Sequence, residues 1–283
     1  MNQSARRIGY VFLCAFPFLI LVVVAARPLR VSGVYQPLGF AMFTAIAISV
    51  WIVGRDVMRL KESGPRQISL AGFLLILPWA IISLLWVGIG PPFQATLPEN
   101  YMRFLVLLWD SILVSIAFVV LTGALHKAGE RFFSTVGFAA ALPAGAAYLG
   151  CLSFSLAQVA TLMRGDKTPL PMFLGNFYSA LEFVACVMTY VATMFFAAAL
   201  WRTKLLRRGT ACVYMVVSAI MMLLIIVRGI DFPEISSHTA PWYTRPGVIA
   251  GIPAIPWFMP CLLGVVLLRR AGDVQLSVTV ESS

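Results

Sequence analysis

Two carboxylic acids lie inside stretches that are otherwise apolar. In the run Met172–Trp201 the only amide or charged residues are Asn176 and Glu182. The second acid, Asp110, sits in the apolar run Tyr101–Leu125. An ionisable side chain at membrane depth costs about 3 kcal/mol or more, so its default reading is functional, with a partner nearby. Every Lys and Arg falls in a loop or near a span end, which predicts no cation at the depth of either acid. A carboxyl kept from water and from cations favours its neutral, protonated form. That form is a proton donor, the state a general acid needs. The competing reading is structural: the two acids hydrogen-bond each other, Asn176 or Ser111.

Glu182 does not stand alone on its helix. Ser179, Glu182, Cys186, Thr189 and Thr193 follow one another at spacings of 3, 4, 3 and 4, one helical face. Such a stripe points into a bundle; without the acid it would be a Ser/Thr packing seam. Trp109, Phe177, Tyr178 and Phe183 flank the two acids, and aromatic faces attract cations. Taken alone, aromatics in membrane helices are more often packing or interfacial belt residues. Counted from their span starts, Asp110 lies nine residues in and Glu182 ten. That predicts equal depths of roughly 14–15 Å at 1.5 Å per residue.

The elements that carry these residues are membrane spans. The chain has 283 residues, 60% hydrophobic and only 11% charged, with a mean hydropathy of +0.91. Soluble domains carry about 25% charged residues. An all-α, polytopic membrane protein follows, as one membrane domain over residues 1–283. Eight spans are expected: Ile8–Ala26, Tyr35–Val53, Ile68–Gly90, Tyr101–Leu125, Thr135–Met163, Met172–Trp201, Thr210–Val227 and Gly247–Leu268. The first exceeds a signal-peptide core of about 7–15 residues and reads as an uncleaved anchor. Fourteen of the 21 Lys and Arg fall on the side of the two termini. The positive-inside rule then puts both termini in the cytoplasm.

The net charge of +10 is explained by those loops and is not a nucleic-acid signal. The five cysteines fall in apolar spans with no ligand spacing, and read as small buried hydrophobes. No metal, phosphate-loop or haem signature is present, so no cofactor is expected. The span ends Leu125–Glu130 and Leu268–Asp273 resemble each other, a hint of two four-helix halves, 1–130 and 131–273. Alternatively, span ends look alike by chemistry. Pro246, Pro253, Pro256 and Pro260 make the eighth span a kinked or broken helix, the feature that best fits a transporter.

One segment resembles a known family. Asp166-Lys167-Thr168, Pro171-Met172-Phe173, Asn176-Phe177 and Glu182-Phe183 look like a stretch of the fungal integral-membrane terpene cyclases of meroterpenoid biosynthesis. The resemblance covers about eighteen residues. It implies a small, metal-independent, seven- or eight-span enzyme that protonates an epoxide on a prenylated substrate and lets it cyclise. It implies Glu182 as the acid and Asn176 as its orienting partner.

Three functions follow as expectations. The first is an acid-initiated cyclase with Glu182 and Asp110 catalytic. Asn176, Trp109, Tyr178, Phe177, Phe183 and Ser179 would then contact an apolar or prenylated substrate, with further enzymes of the same pathway as partners. The second is a proton-coupled transporter of small molecules or lipids. The third is a non-catalytic membrane subunit or sensor. The membrane would be of endoplasmic-reticulum type in a eukaryote, or the inner membrane in a bacterium.

Overall fold

The computed structural model describes residues 3–25, 32–58, 63–85, 95–166, 168–169, 171–228, 250–252 and 254–281. Among them are long α-helices and no strand: α1 (Gln3–Ala25), α2 (Ser32–Met58), α3 (Ser63–Leu85), α4 (Leu97–Lys127), α5 (Phe132–Met163), α6 (Met172–Arg202), α7 (Arg208–Arg228) and α8 (Phe258–Glu281). Seven of them, α1 to α7, are long and apolar enough to cross a membrane. In hydrocarbon the backbone must satisfy its own hydrogen bonds, which is why the apolar runs become helices.

Local chemistry sets the helix ends. α4 begins four residues before the expected Tyr101, because Thr96 and Glu99 form a capping box. The Thr96 amide donates to Glu99 Oε2 at 2.7 Å and Thr96 Oγ1 accepts from the Glu99 amide. α5 is capped by Glu130, whose carboxylate accepts from the Phe133 and Ser134 amides, each at 2.9 Å. Gly129, at φ 85, lets the chain turn between α4 and α5.

Helices α2 to α7 pack in sequence order, each on the next, with α6 against α5 and α7. α8 runs inside this arrangement and packs on α1, α2 and α3. Its residues Cys261, Leu263, Val265, Leu267 and Leu268 are all buried. α3 and α8 meet glycine on glycine. A Cβ added at Gly264 would fall 2.6 Å from the Gly72 carbonyl oxygen, and one at Gly72 would fall 2.7 Å from the Gly264 oxygen. Small residues let membrane helices meet backbone to backbone. Midway along α8, Arg6 of α1 donates to the Arg269 carbonyl at 3.3 Å, and the Arg269 guanidinium lies 4.3 Å over the Tyr10 ring.

The expected eighth span is not one continuous helix. Ala250 and Gly251 are helical, the chain bends at Ile252, a 3₁₀ turn follows at Ile255–Trp257, and only then does α8 begin. Pro253 has no amide to give, and the Ile255 amide turns back to the Ile252 carbonyl at 2.8 Å. Pro256 sits at the start of the 3₁₀ turn and Pro260 in the first turn of α8, where no amide is needed. The Pro- and aromatic-rich loops Gly90–Asn100 and Arg228–Pro246, readable as caps over a cavity or as an interfacial aromatic belt, lie largely outside the described residues.

Candidate functional site

The site is built where the broken segment meets α6. A continuous helix would pair the Gly251 carbonyl with the Ile255 amide, which is engaged elsewhere. Side chains of α6 take over. Tyr190 donates its hydroxyl to the Ala250 carbonyl at 2.8 Å, and the Cys186 thiol donates to the Gly251 carbonyl at 3.5 Å. Tyr148 of α5 meets Cys186 with its hydroxyl 3.7 Å from the sulfur. The Tyr148 ring packs at 4.9 Å on Trp257 of the 3₁₀ turn. These side chains are fully or almost fully buried. Freed backbone carbonyls at membrane depth persist only when neighbouring helices satisfy them in this way.

Glu182 lies one turn from Cys186 on the same face of α6 and is 9% exposed. Tyr178 lies one turn before it and Cys186 one turn after it on the same helix. The α6 stripe therefore does point inward, as its spacing predicts. Its hydroxyls, however, serve their own helix: Ser179 donates to Gly175, Thr189 to Ala185 and Thr193 to Thr189. Cys186 is more than a small hydrophobe, since it bridges α5, α6 and the broken segment.

Asp110 is completely buried, and neither carboxylate oxygen has a hydrogen-bond partner among the described residues. It belongs to the inner stripe of α4 with Arg103, Val106, Leu107, Val114 and Phe118. The next residue, Ser111, lines a small void together with Ser115, Tyr148, Thr189 and Trp257. The void offers about 10 Å³ to the centre of a water, room for roughly one molecule. Ser111, Ser115 and Thr189 spend their hydroxyl hydrogens on Leu108, Ser111 and Ala185. They present only lone pairs to the void, which suits a ligand that donates.

The two acids are not a pair. α4 packs between α3 and α5, and α6 between α5 and α7. α4 and α6 meet where Phe118 stacks on Phe196, ring centroids 4.8 Å apart. Asp110 lies eight residues before that stack and Glu182 fourteen, so Glu182 is displaced by about 9 Å along the helix axes. The equal depth counted from the span starts is corrected by this register.

A second correction concerns charge. Arg103, two turns from Asp110 on the same face of α4, is only 3% exposed and donates to Asn100 Oδ1. A cation is thus buried in the bundle, about level with Glu182. Of the residues expected to contact substrate, Tyr178 lies beside Glu182, Phe183 packs against the core and Ser179 is half-buried. Trp109 is 58% and Phe177 50% exposed, and Asn176 is also exposed, so these three face outward and do not join the buried group. Phe177 stacks instead on the exposed Phe173.

Sequence reasoning missed Tyr148, Tyr190 and Arg103. The signal for the tyrosines was available: a mid-span hydroxyl needs a partner, and the prolines of the last span promised orphan carbonyls. Among the described residues no cluster of three or more His, Cys, Asp or Glu could hold a metal ion.

Fold and site together define a multi-pass, all-helical membrane protein with a broken helix latched beside a buried acid. Comparison with protein families, with curated proteins and with solved structures gives no match.

Proposed function

We propose that the protein is a proton-coupled transporter of apolar small molecules or lipids. Glu182 and Asp110 take up and release the proton, and the broken segment Ala250–Trp257 is the part that moves. The observation that carries this reading is the latch. Two carbonyls freed by a helix break are held by Tyr190 and Cys186, one to two turns from Glu182. Broken helices at mid-membrane, with exposed carbonyls next to an ionisable group, are how transporters build sites that open alternately to either side.

The same proposal includes eight crossings with both termini cytoplasmic. Broken segment and α8 together make the eighth crossing. Support comes from the contact of Arg6 with Arg269, which joins the start of α1 to α8 at one face. The excess of Lys and Arg on that side points to the cytoplasm.

The test is purified protein in proteoliposomes with an imposed pH gradient and a panel of prenylated and lipid-like substrates. Uptake should follow the gradient, collapse with a protonophore, and lose its proton dependence in Glu182→Gln. Absence of gradient-driven flux across the panel, with the fold intact, would overturn the reading.

Acid-initiated terpene cyclisation is the second reading. It is favoured by the aromatic surroundings of the same acid, with Tyr178 beside Glu182 and Tyr148 on Trp257. Conversion of an epoxidised prenyl substrate without any gradient, abolished by Glu182→Gln, would select this reading over transport.

A further inference from the structure

The ends of α4 and α6 and the starts of α5 and α7 lie together at one side of the bundle. Phe133 at the start of α5 meets Phe195 near the end of α6 at 6.4 Å. This rim carries Lys127, Arg131, Arg202, Lys204, Arg207 and Arg208, all exposed. None of the six has an ion-pair partner among the described residues. The one acid on these two turns, Glu130, is buried and spent on capping α5. Aromatic rings form the floor: Arg202 lies 5.9 Å over Phe133, and Arg208 5.9 Å over Trp201. Trp201 is itself 40% exposed and Phe132 70%. Exposed aromatics beneath cations mark the level where acyl chains give way to headgroups.

One of these cations occupies a costly position. Lys204 has φ 61, the left-handed residue after the end of α6, where the Leu206 amide returns to the Leu200 carbonyl at 3.0 Å. After α4 and α5 the equivalent places are held by Gly129 and Gly165, at φ 85 and 88. Glycine adopts this conformation without strain and lysine does not. The chain keeps a cation at the rim where glycine would hold the turn more cheaply.

We infer that this rim binds the phosphate headgroups of anionic lipid, with Lys204, Arg202 and Arg208 as the principal contacts. Unpaired basic side chains between helix ends on the positively charged side match such headgroups, and arginine presents a fork that fits phosphate. The inference does not depend on what the protein transports or converts.

The test uses the full chain in nanodiscs and the fluorescence of Trp201, isolated by difference against Trp201→Phe. Quenching by brominated phosphatidylglycerol is compared with quenching by brominated phosphatidylcholine. The wild type should prefer the anionic lipid. Each removed cation should lower that preference about five-fold. The triple variant Arg202→Gln, Lys204→Gln, Arg208→Gln should show none.

Lys204→Gly separates binding from folding. It should melt at the same or a higher temperature in neutral detergent, since strain is relieved, yet lose about five-fold in anionic-lipid preference. Equal quenching by both lipids in the wild type would overturn the inference. So would a full preference surviving in the triple variant. Inorganic phosphate in neutral nanodiscs should neither stabilise the protein nor alter Trp201. If it does both, the surface is a site for soluble phosphate and the lipid assignment fails.

Discussion

Tyr190→Phe isolates the latch. The hydroxyl donates to the Ala250 carbonyl at 2.8 Å, and the residue is 1% exposed. Phenylalanine keeps the ring and its packing, so the change removes one donor and little else. The abandoned carbonyl stays in a dry interior. Leaving a buried acceptor without a donor costs about 1–3 kcal/mol. Interhelical hydrogen bonds measured in membranes reach about 1.7 kcal/mol. Where those ranges overlap, a loss of about 1–2 kcal/mol is expected. The Cys186 contact, at 3.5 Å through sulfur, is too weak to compensate. The loss should be local if the broken segment opens on its own. Amide exchange over residues 250–257, followed by mass spectrometry, should then quicken about 5- to 30-fold. Exchange in the core of α5 should stay as it was. A uniform rise across all helices would mean that the hydroxyl merely braces the bundle. No change anywhere would mean that the carbonyl finds another donor, and the latch argument would be refuted.

Three further outcomes are expected. Gly264→Ala drives a methyl group to 2.6 Å from the Gly72 oxygen and 2.8 Å from Leu75 Cβ, so α3 and α8 must part. Unfolding in denaturing detergent should register a loss of about 1–3 kcal/mol, whereas Gly175→Ala, with nothing within 4 Å, should cost none. Asp110→Asn removes an ionisable group whose oxygens have no hydrogen-bond partner among the described residues. The melting temperature should barely move while proton-driven uptake in proteoliposomes is lost; unfolding of the variant would assign Asp110 a structural role instead. Asp166, outside the spans, accepts from the Thr168 amide and hydroxyl at 2.9 and 2.6 Å, and these bonds hold its carboxyl below the ordinary aspartate range. A depressed carboxyl supports the fold above its unfolded value and loses that support as the pH falls through the folded one. The turn between α5 and α6 should therefore loosen only below about pH 4, which exchange at the Thr168 amide would register; loosening near neutral pH would contradict it.

Much of this architecture was legible because membrane helices announce themselves. The span expected at Met172–Trp201 differs from α6 by one residue, since Pro171 and a polar loop bound it at one end and Arg202 at the other. The inward stripe of α6 was readable for the same reason: a period of 3.6 leaves a carboxylate and small hydroxyls on one face. The break in the last span was foreshadowed by its prolines. Its consequence was not, because which side chains reach orphan carbonyls depends on how helices pack. Trp109 and Phe177 illustrate the opposite error. Trp109, next to Asp110, is turned about 100° from it around α4, and Phe177, five residues before Glu182, about 140° around α6, and both rings face outward.

The displaced depth of the two acids bears directly on mechanism. Counting from span starts treats each helix as if it entered the membrane at its first apolar residue. α4 actually begins at its capping box, and its level relative to α6 is fixed by the Phe118–Phe196 stack. Two carboxyls about 9 Å apart along the axes, with α5 between their helices for much of their length, cannot share one proton as a contacting dyad does. They can act in series. Glu182 stands nearer the start of α6, one turn from the latch residue Cys186, and Asp110 lies further along the bundle, next to the residue that opens on the one-water void. The void, lined by hydroxyl lone pairs and by Tyr148, lies beyond Asp110 as seen from Glu182, at the level of Ser111 to Phe118, and has the size and chemistry for a water that passes the Asp110 proton onward. Filling it should therefore do what removing either acid does. Gly145→Ala projects a methyl group to 2.6 Å from Ser115 Oγ at the void's edge. It is expected to slow proton-coupled flux while Glu182 and Asp110 both remain. Unaltered flux in that variant, with the void shown to be filled, would remove the water from the path.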